Sequence, residues 1–162
     1  MSTQLAASTE IDRIADQLER AFEGDAWHGR SLSDILSRID AEQAAARPIA
    51  GAHTIWEIVT HITAWQRTVR ECLSGEPLLP LPEAQNWPPI EDTSEAAWGR
   101  ALADLRAEYE RLREAVLAWR DRDLGERVEG KRYTVYEMLH GVIQHDLYHA
   151  GQIALLERGT AG

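Results

Sequence analysis

Apolar residues at Trp98, Leu102, Leu105, Tyr109, Leu112, Val116 and Trp119 step alternately by four and three, the seam of a packed helix that ends near Trp119. A similar stripe, Ile11, Ile14, Leu18 and Phe22, predicts a helix from about Thr9 to Phe22, with Asp12, Asp16, Glu19 and Arg20 left for solvent. Its stop is the run from Glu23 to Gly29, which contains two glycines. After Thr54, the residues Ile58, His61, Ile62, Trp65, Val69 and Cys72 form the apolar side of a further helix. After Thr134, Met138, Gly141, His145, His149, Gln152 and Leu156 share one face of the last. No strand-like alternation, internal repeat or low-complexity tract interrupts this pattern, so the expected class is all-α, a four-helix bundle forming one domain over residues 1–162.

Helix starts are read from Thr54, Asp92 and Thr134, each followed three residues later by a glutamate (Glu57, Glu95 and Glu137) that can reach back to the free N–H groups of the first turn. SLSDILSRIDAEQAAARP, from Ser31 to Pro48, predicts one or two short connecting helices packed over an end of the bundle. Five of the six prolines lie in EPLLPLPEAQNWPPIED, about seventeen residues read as non-helical. A connection that long can cross the whole bundle and leave the second and third helices parallel.

A chain of 162 residues can bury roughly 70% of the surface its unfolded form exposes and needs no disulfide or metal staple to fold. Acidic residues outnumber basic ones by 27 to 17, and no Lys/Arg stripe stands out, so nucleic acid is excluded as an expected partner. The single cysteine, Cys72, cannot pair internally, and MSTQLAASTE has neither the charged start nor the apolar run of a secretory signal. No window reaches the length of a membrane span, and the expectation is a soluble cytoplasmic protein.

Against that background HGVIQHDLYHAGQ, residues 140–152, raises a chemical question. His145 and His149 are one turn apart and point only about 40° from each other, on the stripe that should face the core. Such a pair is equally consistent with two hydrogen-bonded core residues. The added weight comes from His61, also inward-facing in TIWEIVTHITAWQ, which lies at a similar height if the second and last helices are antiparallel. Three neutral imidazoles suit zinc, nickel or iron and leave coordination positions open. His140 projects about 140° away from His145 and is excluded from that set. Cys72, about 16 Å along the helix from His61, is too distant to be a fourth ligand and reads as a small buried hydrophobe.

HDLYH invites comparison with the HExxH helix of zinc proteases, but aspartate is one methylene shorter than glutamate and little chain follows to supply a further ligand. Asp146 is expected instead to contact a neighbouring helix or to orient a histidine. Gln152, one turn beyond His149, and Tyr148, at the edge of the face, could meet a ligand. Trp65, one turn after His61, would wall the pocket, and Trp87 in the proline-rich loop would cover its mouth.

These residues carry a resemblance. THITAWQ, with His61 followed by Trp65, and HDLYHAGQI, with its two histidines, resemble the DinB-like family, and FEGDAWHG and PIAGAHTIWEIVTHI look like one branch of it. The resemblance extends over nearly the whole chain. It implies an up-down-down-up bundle with a long crossover between helices two and three, and a divalent ion, commonly zinc or nickel, on His61, His145 and His149. Characterised relatives include S-transferases that use bacillithiol, mycothiol or glutathione and a mycothiol-dependent maleylpyruvate isomerase, so a low-molecular-weight thiol is an expected cosubstrate.

The resulting expectation is a metal-dependent enzyme that activates a thiol or water for transfer to, or hydrolysis of, a small molecule. The alternative is a non-catalytic metal-binding or interaction bundle, including a stress-response role. A homodimer is expected from Trp56, which lies on the side of its helix away from His61 and would otherwise be exposed, as would others of the six tryptophans.

Overall fold

Residues 8–160 are described by a computed structural model, and among them there are helices but no strands, only two isolated bridges. Four long helices make the bundle: α1 (Glu10–Phe22), α4 (Ile55–Leu73), α6 (Glu95–Leu117) and α7 (Val135–Thr160). Two short helices, α2 (Leu32–Leu36) and α3 (Ala41–Ala45), fill the expected connector between α1 and α4. No helix among the described residues is long and apolar enough to cross a membrane.

The direction of each helix follows from its contacts. Trp56 packs on Trp98 near the N-terminal ends of α4 and α6, with ring centroids 5.0 Å apart, and Trp119 Nε1 donates to the Leu73 carbonyl at their C-terminal ends. These two helices are therefore parallel. Between α1 and α6 the pairing runs the other way, with Phe22 stacked on Tyr109 at 3.9 Å while Asp121, beyond the end of α6, accepts from the Glu10 and Ile11 N–H groups. Contacts of His61 with His149 and of Gln66 with Asp146 make α7 antiparallel to α4. The bundle is up-down-down-up.

The predicted seam of α6 is the one that packs: Trp98, Leu105, Tyr109, Leu112 and Val116 are all buried. Each such side chain withdrawn from water contributes roughly 1.5–3 kcal/mol to the fold. Trp56 is only 3% exposed, because a parallel α6 brings Trp98 opposite it. Trp56 therefore needs no second copy to cover it, whereas Trp27 is fully exposed.

Two local expectations are corrected. The N-cap of α6 is Ser94, whose hydroxyl accepts from the Ala97 N–H, and not Asp92. Asp92 accepts from the Ser94 N–H, and Glu95, the presumed capping partner, reaches across to the Ala41 N–H at the start of α3. The crossover also contains one turn of helix, α5 (Glu83–Asn86). Pro82 stands immediately before it with φ −54°, already close to helical, and no proline falls within the turn itself. That turn positions Asn86 and Trp87.

Candidate metal centre

Position seven of α4 carries His61, which is buried and held from the crossover side. Its Nδ1–H donates to the Asn86 carbonyl at 2.8 Å, and the same residue's Oδ1 accepts from Trp65 Nε1 at 2.9 Å. One loop residue thus ties down His61 and the tryptophan one turn further on. Trp87 lies flat on the His61 ring, with centroids 3.9 Å apart and planes 4° from parallel, and His53 stacks on its other face at 3.5 Å.

On α7, His149 Nδ1 lies 2.6 Å from Gln152 Oε1. An amide oxygen can only accept, so Nδ1 carries the proton, as it does on His61. The Nε2 atoms of His61 and His149 are then left as lone pairs, and both face the Nε2 of His145, at 3.0 and 3.2 Å. His145 can donate one proton to one of them, so at least one nitrogen is left facing a neighbour with no hydrogen between.

Burial pushes the His149 imidazole down to about 4, with the His145 and His61 imidazoles adding to the effect. It lowers His61 as well. Both are neutral at pH 7, the form that ligates metals.

A tetrahedral zinc ion with nitrogens at about 2.0–2.1 Å separates them by about 3.4 Å, so the donor types, their tautomers and their spacing fit a divalent cation. The three ligand nitrogens lie within 4.8 Å of one another.

Asp146 is almost wholly buried, and one carboxylate oxygen accepts from Gln66 Nε2 on α4 at 2.8 Å. Its other oxygen is 3.6 Å from His145 Nδ1, beyond hydrogen-bonding distance, and neither atom has another partner. Burial raises the Asp146 carboxyl above the ordinary aspartate range. The residue both contacts a neighbouring helix and stands behind a histidine. It lies on the Nδ1 side of His145, away from the nitrogens that converge, which is the wrong side for the base of an HExxH site.

The imidazoles open into a cavity of about 670 Å³. Trp65 and Trp87 wall it, Gln152 reaches it through His149, and Tyr148, 65% exposed, stands at its rim with its ring 5.1 Å from that of His149. Ile58 and Leu156 supply apolar lining, and among the described residues no lysine or arginine borders it. His140 packs on Tyr136 outside the group, and Cys72 is half-buried against the core with its thiol pushed up by burial. Three residues that touch the site were given no role from sequence: Asn86, His53 and Gln66. Gln66 lies inside THITAWQ, and a glutamine on the core side of a helix was the available signal.

The fold and this site define a helical bundle with a three-histidine centre between its second and last long helices. The sequence model of the DinB superfamily matches residues 26–153, and the chain belongs to that superfamily. Neither the curated proteins nor the solved structures contain a match to it.

Proposed function

We propose that this protein is a metal-dependent enzyme in which His61, His145 and His149 hold a divalent ion, zinc or nickel, for hydrolysis of a small molecule or transfer of a thiol to it. The observation that carries the reading is the convergence of three Nε2 atoms, two with their Nδ1 protons committed elsewhere, at the wall of an accessible cavity. When bound, such an ion acts as a Lewis acid and lowers the pKa of a coordinated nucleophile toward neutrality.

The chain's own groups prepare for that chemistry. Asn86 and Gln152 fix the tautomers and ring orientations of His61 and His149, so two of the three donors are oriented before loading. Asp146 stands behind His145, where a short side-chain movement would let its carboxylate accept a hydrogen bond from the Nδ1–H that His145 would carry when its Nε2 is the ligand. Trp87 covers one face of His61 and keeps water from it. Tyr148 places a phenol at the entrance, where it can hydrogen-bond an incoming molecule. The lack of lysine or arginine around the cavity favours water or an uncharged thiol over a carboxylated thiol, which would find no counter-charge.

Cobalt substitution tests this reading against a closed, non-catalytic site. The visible spectrum of the cobalt-loaded protein is expected to shift on titration with thiocyanate or 2-mercaptoethanol, because an open position accepts them. A spectrum unmoved by either ligand would mark a saturated structural site and overturn the enzymatic reading.

A further inference from the structure

A second cavity, of about 350 Å³, shares Trp65 and His145 with the histidine pocket and runs between α4 and the first half of α7. Its remaining lining is Val69, Leu78, Tyr133, Met138, Gly141 and Val142, with Glu137 the only charged residue among those that border it. Glu137 is already engaged, since it accepts from the Thr134 N–H at 2.7 Å and from the Thr134 hydroxyl at 3.0 Å. Val69, Leu78, Met138 and Val142 are each less than a tenth exposed, yet they border open space.

Gly141 sharpens the point. It sits about two turns into α7, in the helix interior where glycine is a poor helix former, and a Cβ added there would meet no heavy atom within 4 Å. Close packing does not require glycine at this position. Its effect is to leave the cavity floor without a side chain.

Size and charge define what fits. A dry cavity of about 150 Å³ is enough to hold benzene, so this one has room for a substituted aromatic ring. A carboxylate or phosphate entering it would lose its water and meet no cation, at a cost that apolar burial cannot offset.

We propose that this cavity is a substrate subsite, and that the substrate is an uncharged molecule whose aryl or branched alkyl group occupies it while its reacting group lies at the three histidines. The proposal rests on the metal-centre reading for the second half of that statement. The subsite itself stands on the cavity alone.

Met138 is one of two methionines in the sequence, so methyl-labelled protein reports occupancy directly. In the metal-free protein, benzyl alcohol is expected to shift the Met138 methyl resonance and benzoate to leave it unmoved, and the zinc-loaded protein is used for ligands that carry a metal-seeking head. Phenylacetohydroxamate, which adds an aryl group to a metal-seeking head, is expected to bind about tenfold tighter than acetohydroxamate. Gly141→Leu, which fills the space and improves helix propensity, should abolish the Met138 shift and the tenfold gain while acetohydroxamate affinity and thermal stability persist. Equal affinities for the two hydroxamates, an unmoved Met138 methyl, or benzoate binding as well as benzyl alcohol would overturn the proposal. Loss of acetohydroxamate binding with the benzyl alcohol response intact would count against the metal centre and support the subsite.

Discussion

Gln152 Oε1 lies 2.6 Å from His149 Nδ1, one turn away on the same helix, and this contact decides which nitrogen of His149 is free. The other nitrogen is the one that faces His145. A single amide oxygen therefore sets the orientation and tautomer of a residue whose ring is otherwise fixed only by packing.

Replacing Gln152 with leucine should weaken zinc affinity by about 10- to 100-fold, the usual cost of losing such a partner, with little change in fold. Gln152→Glu keeps an acceptor at the same place and should restore most of the affinity. Competition against a chromogenic chelator measures both. Equal affinities for the leucine variant and the parent protein would remove Gln152 from the site.

Gln66 and Asp146 should behave as a unit, because both are buried and, among the described residues, the one hydrogen bond to the Asp146 carboxylate comes from Gln66 Nε2. Gln66→Leu leaves a buried carboxyl without its donor and should cost about 1–3 kcal/mol in urea denaturation. Adding Asp146→Leu to that variant should recover part of the loss, giving a non-additive double-mutant cycle. Strict additivity would show that the two side chains do not interact.

Acid should act at the end of α7. Arg30 holds Glu157 with two bonds, of 3.2 and 2.6 Å, and this guanidinium keeps the Glu157 carboxyl below its ordinary value of 4.5. A carboxyl depressed in the folded state binds fewer protons there than in the unfolded chain, so the pair stabilises the fold above pH 4.5 and the benefit is lost as pH falls through the depressed value. Arg30→Met should lower the melting temperature slightly at pH 7 and not at all near pH 2. The partly exposed setting keeps the effect small. A difference that persisted unchanged in acid would place its origin outside this ion pair.

Much of this was legible along the chain, for reasons that differ residue by residue. The α6 seam and the pairing of His145 with His149 follow from helical periodicity, which depends on nothing outside the helix. The parallel course of α4 and α6 followed from a connection too long and too rich in proline for a hairpin.

The features that escaped depend on tertiary contacts. Asp92 and Ser94 both offer good capping chemistry, and the choice between them was made by Glu95, which is drawn to the Ala41 N–H of a different helix. Trp56 was expected at the surface because nothing local reveals that Trp98 lies opposite it. The stack of His53, Trp87 and His61 requires the exact course of the crossover, and sequence spacing carries no information about that course.

Whether three histidines from two helices form one metal site is decided by metal analysis of the purified protein. About one divalent ion per chain is expected, lost in both His61→Ala and His145→Ala while helical content by circular dichroism is retained. Undiminished metal in either variant, or no metal uptake by the parent protein from a zinc- or nickel-containing buffer, would contradict it.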